Sequence, residues 1–355
     1  MSDNNMQFFY RPQLILALLV AGLSHANPQA ADTIALDQPI QSYGARADVQ
    51  QFAYEMAQEY QLDYDALMSI LAQATFKESI VKLMDRTPEG SWTWEKYRRH
   101  FLDSQRIKKG IEFWTQHRET LEQAESEYGV PVETIVAIIG IETRYGSVKG
   151  RTRILDALMT LGFDYPRRAS YFRKELKHFI LMYRQEGFDP YEIKGSYAGA
   201  MGWGQFMPSS YRTYAIDFDD DGVRDLLNNP IDAIGSVANY LARHGWRRDL
   251  MPAIRATLQR EPAEGAINFN KRRPSYLLSE VADYLVPVNT QESYSADEKI
   301  IPLKLKMDEP PPQYWLGSYN LYVITRYNSS LLYAMAAHEL GQTIKERYHN
   351  AQHAP

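Results

Sequence analysis

Three observations predict a mainly α (α+β) fold, helical with one small strand-rich insert. Apolar residues recur at three- and four-residue intervals over most of residues 48–250 and again near the C-terminus. One tract, Ile300 to Met307, alternates with period two instead, and the proline turn Glu309-Pro-Pro-Pro312 follows it. The 355 residues are 45% hydrophobic and 23% charged, which supplies buried cores for one or two domains and is too apolar for a disordered chain.

Residues 1–26 read as an export signal. Arg11 precedes a run of apolar residues from Leu14 to Leu23, and Ser24-His25-Ala26 places small residues at −3 and −1 of a cleavage site. A bilayer needs about 20 apolar residues, so the run is too short for a stable anchor. The expected mature protein is therefore soluble and extracytoplasmic.

Residues 45–127 read as a helical domain. Phe52, Met56, Glu59-Tyr60, Leu67 and Ile70-Leu71 fall at helical spacing, Arg86-Thr-Pro-Glu-Gly90 makes a turn, and a third helix is expected from Arg106 to Tyr128. Gly129-Val-Pro131 breaks that helix and starts the next, with Pro131 in its first turn. Two further helices are expected over Asp156–Leu161 and Ser170–Glu186, the second amphipathic through Phe172, Leu176, Phe179-Ile180 and Tyr183. Pro230–Arg243 is predicted as a helix with Asn229 as N-cap, Pro230 at its first position and Gly245 as its stop. Residues 251–326 form the strand-rich domain, where Tyr319–Ile324 is expected to pair with the Ile300–Met307 strand. A last helix, Ser329 to Arg347, closes the chain.

The charge balance, 39 Lys plus Arg against 44 Asp plus Glu, gives −5 and no global basic field for nucleic acid. With no Cys, disulfides, thiolate metal sites, thiol nucleophiles and lipidated-Cys anchors are excluded. Tyrosine is in excess, 25 against 13 Phe and 6 Trp, and its flat face with a polar tip suits sugar grooves as well as ordinary cores.

Glu142 follows directly on the apolar run Ile135–Ile141. At helical spacing its side chain lies over Ile138 and Ile139, and a desolvated carboxyl has the raised pKa that a general acid needs near neutrality. The alternative is a solvated or Arg-paired first polar residue past a core helix. The segment Gly195 to Tyr211 interleaves four glycines with four aromatics. Glycine permits close backbone approach and the rings offer stacking faces, yet tight helix packing under a glycine turn would use the same residues. Its spacing does not match a phosphate-binding loop.

Glu142-Thr-Arg-Tyr-Gly146, Tyr165-Pro-Arg-Arg168, Gly199-Ala-Met-Gly-Trp-Gly-Gln-Phe-Met-Pro208 and Arg326-Tyr-Asn-Ser329 together resemble the lytic murein transglycosylase B family, in matching order from about Val49 to Leu340. The resemblance implies a lysozyme-like catalytic core over 128–250, with residues 327–347 closing the cleft. It implies cleavage of the bond between N-acetylmuramic acid and N-acetylglucosamine in peptidoglycan, Glu142 serving as acid and then as base. The muramoyl C6 hydroxyl closes on C1 and leaves a 1,6-anhydro sugar, so no second catalytic carboxylate is required, unlike ordinary glycoside hydrolysis. Asp164 and Asp189 lie near the motifs but flank turns. The resemblance further implies that Ser196 and Gln205 line the cleft, that Tyr240, Tyr327 and Asn328 close over the sugars, and that Tyr333 and Tyr97 add to the wall. Arg167 and Arg168 are placed by it on the peptide or lactyl side, although a solvated helix start would also use them. Several relatives are anchored through a lipidated Cys; this chain has none, which points to a soluble periplasmic form, expected as a monomer acting on glycan strands.

Asp217-Phe-Asp219-Asp-Asp221-Gly222-Val223 matches the opening of an EF-hand loop, with carboxylates at positions 1, 3 and 5, Gly at 6 and a carbonyl donor at 7. Position 12 is Asn228, not Glu. The family uses a longer loop, within 217–232 here, in which Asp232 supplies the closing carboxylate and Asp225 an additional ligand through water. A structural Ca2+ is the expected cofactor, with no organic one; an acidic exposed turn is the alternative. A hydrolytic muramidase on the same fold is the first alternative; Glu142 in its apolar setting argues against a non-catalytic peptidoglycan-binding protein, and a calcium sensor fails to explain the export signal and the Gly-Trp-Gly segment.

Overall fold

The computed structural model describes residues 42–85, 92–289 and 293–352. The expected export signal and the turn at Arg86–Gly90 lie outside the described residues. Fourteen α-helices and seven strands occur among those described.

Six helices come first: α1 (Ala47–Tyr60), α2 (Tyr64–Leu71), α3 (Glu78–Met84), α4 (Trp94–Phe101), α5 (Ser104–Gln116) and α6 (Arg118–Tyr128). Asp63, Thr93 and Asp103 cap α2, α4 and α5 by accepting from backbone N–H groups in their first turns. The single helix expected from Arg106 to Tyr128 is two, because His117 leaves the helical conformation and turns the chain between α5 and α6.

Helix α7 (Val132–Thr143) is the axis of the molecule. Every one of its residues is buried except Glu142, because α5, α6, α11 and α14 pack around it. Pro131 takes its N-cap rather than a first-turn position. Next come β1 (Thr152–Arg153), α8 (Ile154–Phe163), a 3-10 turn at Pro166–Arg168, α9 (Ala169–Glu186), β2 (Lys194–Gly195), α10 (Pro208–Tyr214) and α11 (Pro230–Arg243). Asn229 caps α11 through Ile231 N–H and Pro230 opens it, as the sequence predicts.

The insert contains β3 (Ala253–Leu258), β4 (Tyr276–Leu277), α12 (Leu278–Val281), β5 (Leu285–Pro287), β6 (Lys299–Leu305) and β7 (Gln313–Gly317). They form one antiparallel sheet in the order β4-β6-β7-β3-β5. The period-two pattern sorts its faces. Ile301, Leu303, Leu305 and Trp315 join the main helical core, whereas Ile300, Tyr314, Leu316 and Ile254 build a second, smaller core. Both faces are thus covered, and the insert is fastened to the helical body rather than hinged from it.

Two helices end the chain, α13 (Tyr319–Tyr327) and α14 (Leu331–Gln352). The strand expected over Tyr319–Ile324 is α13. The partner of β6 is β7, which begins immediately after the prolines, and Ser318 then starts a helix by accepting from Asn320 N–H at 3.1 Å. Val323, Ile324 and Thr325 are β-branched, but burial of this face against the helical core decides the conformation.

Candidate active site

The chain leaves α7 abruptly. Arg144, Tyr145 and Gly146 have successive φ values of 50°, 57° and 75°, so the helix ends one residue after Glu142. Only glycine fits at 146, where a Cβ would lie 2.5 Å from the Trp203 ring. Thr143 Oγ1 donates to the Trp203 carbonyl at 2.8 Å and accepts from Gly146 N–H at 3.0 Å. The buried Arg106 donates to Gly140 O at 3.1 Å and to Phe101 O at 2.7 Å. These bonds pin the last turn of α7 to the glycine-aromatic segment and to α4.

Glu142 therefore emerges at a fixed place, partly exposed but set against protein. Burial pushes its pKa up from 4.5 to about 7, while the hydrogen bond from Tyr333 pulls in the opposite direction. That bond, Tyr333 Oη to Glu142 Oε1, is 2.6 Å long. Tyr333 is wholly buried in α14. Its approach is set by the link from α13: Asn328 Oδ1 accepts from Ser330 N–H at 3.1 Å, and Ser330 Oγ accepts from Tyr333 N–H at 3.3 Å.

Tyr327 donates its hydroxyl to Gly204 O, and burial together with the nearby Glu142 charge holds that hydroxyl far above its ordinary pKa. Tyr240 donates to Arg326 O at 2.6 Å and meets the Tyr327 ring edge-on at 4.9 Å. Tyr97 is buried beside Phe101, with ring centroids 4.8 Å apart, and is close enough to Tyr333 to raise the pKa of that hydroxyl. One aromatic cluster around Glu142 thus gathers Tyr97, Tyr240, Tyr327 and Tyr333 with Asn328.

The glycine-aromatic segment is a tight hairpin, bridged between Met201 and Phe206. Ser196 is buried and its hydroxyl accepts from Ala200 N–H at 3.0 Å. Gln205 sits at φ 50° and donates its amide to Lys149 O at 3.2 Å and Gly202 O at 3.0 Å. Both side chains thereby shape the hairpin beside Glu142. Arg167 and Arg168 make other contacts. Arg167 is exposed, 3.3 Å from Asp85, and Arg168 lies over Tyr171 at 4.4 Å and Phe172 at 5.2 Å.

Two carboxylates near the motifs are engaged elsewhere. Asp164 accepts from Tyr43 at 2.6 Å and from Arg46, and Asp189 accepts from Tyr191 N–H at 2.8 Å. A buried carboxylate that the sequence reading passed over, Glu175, accepts from Ser209 N–H at 2.9 Å and from its hydroxyl at 2.8 Å. It fastens the start of α10. Thr143 and Arg106 were also missed: nothing in Ser104–Gln116 distinguishes the one buried cation from Lys108 and Lys109 except its phase relative to Phe113.

Asp217, Asp219 and Asp221 converge, with one carboxylate oxygen of each within 4.8 Å of the others. Their loop is folded by its own acids. Asp217 accepts from Asp221 N–H at 3.1 Å and Gly222 N–H at 2.8 Å, and Asp221 accepts from Val223 N–H at 2.8 Å. Asp232, the expected closing carboxylate, is wholly buried and outside that converging group, with one oxygen accepting from Phe218 N–H at 2.8 Å and the other from Asp225 N–H at 2.7 Å. Burial raises its pKa, and the charges of Asp219 and Asp217 add to the rise. Asp225 is outside the converging group, and its Oδ1 accepts from Leu227 N–H and Asn228 N–H, both at 2.9 Å. The nearby Arg224 is paired with Glu186 and leaves the acids uncompensated. Hard oxygen donors held this close fit a divalent cation of the calcium type.

The chain matches the model of the transglycosylase SLT domain over residues 44–342. It is 44% identical to membrane-bound lytic murein transglycosylase B of Escherichia coli K12 over 306 residues, 84% of this chain and 82% of that one. Among solved structures it is similar to the soluble lytic transglycosylase SltB1 of Pseudomonas aeruginosa in its catenated form, with TM-score 0.81, 42% identity and coverage of 86% of this chain and 99% of that one. It is similar too to the Escherichia coli lytic transglycosylase Slt35. The complex with bulgecin A gives TM-score 0.77, with 44% identity over 86% of this chain and 94% of that one. The complex with calcium gives 0.76 at the same identity and coverage.

Proposed function

Since the chain belongs to the transglycosylase SLT domain family and is a peptidoglycan lytic transglycosylase, we propose that Glu142 performs the reaction alone, first as acid and then as base. The carrying observation is its carboxyl poised at about 7 with one hydrogen-bond donor, Tyr333.

Protonated Glu142 gives its proton to the oxygen between the muramoyl and glucosaminyl units, and the C1–O bond breaks. The carboxylate so formed takes the proton from the muramoyl C6 hydroxyl, whose oxygen bonds to C1. The leaving sugar departs as an alcohol, the muramoyl end closes as a 1,6-anhydro ring, and Glu142 is protonated again. Holding C6–OH over C1 replaces an encounter with water by an intramolecular step. Tyr333 assists the middle of the cycle, because its O–H bond is strongest to the ionised carboxylate.

Tyr240, Tyr327, Asn328, Ser196 and Gln205 shape the sugar site, with Tyr97 behind Tyr333. Arg167 and Arg168 serve the peptide or lactyl side. Residues 327–347 close the cleft of a lysozyme-like core at 128–250, flanked by the helical domain at 45–127 and the strand-rich domain at 251–326. Asp217, Asp219, Asp221, the Val223 carbonyl and Asp232 would hold a Ca2+, which supplies charge neutralisation to the loop and no chemistry at Glu142. The chain acts as a periplasmic monomer on glycan strands after export; no helix of the described residues is long and apolar enough to cross a membrane.

Mass spectrometry of muropeptides released by the enzyme and by Glu142→Gln tests the reading. Anhydro-muramoyl ends from the first and none from the second are expected. Reducing ends would instead mean hydrolysis, and undiminished release by Glu142→Gln would remove Glu142 from the chemistry.

A further inference from the structure

A cavity of about 520 Å³ opens where α13 meets the insert. Tyr319 and Tyr322 form one wall, with ring centroids 5.5 Å apart and planes at 59°. Arg247 and Glu298 form another, joined by two bonds of 2.7 and 2.8 Å. This wall is braced rather than loose. Asn320 of α13 accepts from Arg247 N–H at 2.8 Å and donates to Arg247 O at 2.7 Å. Arg273, Pro274, Asp297 and Lys299 complete the lining, and neither Arg273 nor Lys299 is in an ion pair among the described residues; the Arg273 guanidinium lies 5.7 Å from the Tyr322 ring centroid.

The charges favour an anionic ligand. Glu298 is already matched by Arg247, so Arg273 and Lys299 stand against Asp297 alone, and the cavity carries an excess positive charge. A neutral sugar needs no such excess, and rings tilted at 59° make a poor flat platform for stacking. A carboxylate presented to a guanidinium and an ammonium, with apolar chain against tyrosine, matches the two cations that lack an ion pair.

Position connects this cavity to the reaction. Tyr319, Tyr322 and Arg326 follow at three- and four-residue spacing on one face of α13. Arg326 is exposed, and its carbonyl accepts the Tyr240 hydroxyl. At 1.5 Å rise per residue, Tyr319 lies about 12 Å along the axis from Tyr327, which is within reach of a substituent on a neighbouring sugar.

We propose that this cavity binds a carboxylate of the peptide stem carried by the glycan strand, a reading that rests on the peptidoglycan chemistry proposed above. The stem is an acidic peptide hanging from the lactyl group of each muramoyl unit, so the cavity measures whether the strand being cut still bears its peptides.

The full-length enzyme and its Arg273→Ala and Lys299→Ala variants are assayed on glycan strands bearing stems and on the same strands stripped by an amidase. On stem-bearing strands KM is expected to rise about tenfold with kcat retained, the size of a lost charge-assisted hydrogen bond. The rise is confined to that substrate, and Arg260→Ala, elsewhere on the insert, does not share it. An equal rise on both substrates, or none on stem-bearing strands, overturns the assignment. Absence of anhydro product from the unaltered enzyme on either substrate overturns the underlying reaction instead, so the two failures are distinct.

Discussion

The Tyr333 hydroxyl donates to Glu142 Oε1 at 2.6 Å, joining α14 to α7 across 191 positions of sequence. Two opposed effects meet at that contact. Burial favours the neutral acid, and the tyrosine favours its anion. In the proposed reaction Glu142 gives a proton and then takes one back, which needs both forms within reach near neutral pH.

Tyr333→Phe removes the effect that lowers the Glu142 pKa, so that pKa moves above about 7. The acid step requires protonated Glu142, and the alkaline limb of the kcat/KM profile therefore shifts to higher pH. The plateau falls about tenfold, because the carboxylate loses its stabilising donor. An alkaline limb that stays in place would show that the bond does not tune Glu142.

Glu142→Gln is expected to stabilise the fold in a pH-dependent way. The folded pKa of about 7 exceeds the ordinary 4.5, so the folded state holds the proton more tightly than the unfolded chain. Stability is complete below pH 4.5 and declines as pH rises to 7. The amide escapes the loss, which is on the order of 2–3 kcal/mol after allowance for partial exposure. Melting curves should coincide near pH 4 and separate at pH 8, the variant melting higher. Equal gains at both pH values would mean that packing rather than ionisation is responsible.

Chelation is expected to lower the melting temperature, with a much smaller effect on sugar binding in the cold, because the acids of the loop repel one another. Asp219→Asn should reduce the response to added calcium in the same assay. A melting curve indifferent to calcium would leave the loop an ordinary acidic turn.

Gly202→Ala is expected to reduce turnover more than tenfold. A Cβ at 202 would lie 2.2 Å from Leu226 O, and the residue has φ 71°. Trp203 N–H donates to that same carbonyl at 3.0 Å, so the hairpin beside Glu142 and the end of the acidic loop must separate. The strain corresponds to about 2–4 kcal/mol of stability. Wild-type turnover together with an unchanged melting temperature would contradict it.

Helix positions were legible because they depend on local pattern: Asn229 and Pro230 start α11 where caps require it, and the apolar run of α7 announces its burial. Tyr319–Ile324 was misread because β-branched residues serve a buried helix face as readily as a strand. Glu142 was accessible to a local argument, since the apolar turn beneath it is only three and four residues away. The donor on Glu142, the hydroxyl of Thr143 on Trp203 and the buried Arg106 were not, for each depends on a partner from a remote segment. The acidic loop announced three of its acids through spacing, whereas the bonds that Asp225 accepts from the backbone at 227 and 228 were not legible there.

Tyr333 lies in the final helix, while Glu142 is made nearly two hundred residues earlier. A growing or truncated chain that ends before α14 therefore carries its acid without its donor and without the buried wall that raises its pKa. The surroundings of the proposed acid are thus finished only when the last helix docks, which ties the protonation of Glu142 to completion of the fold.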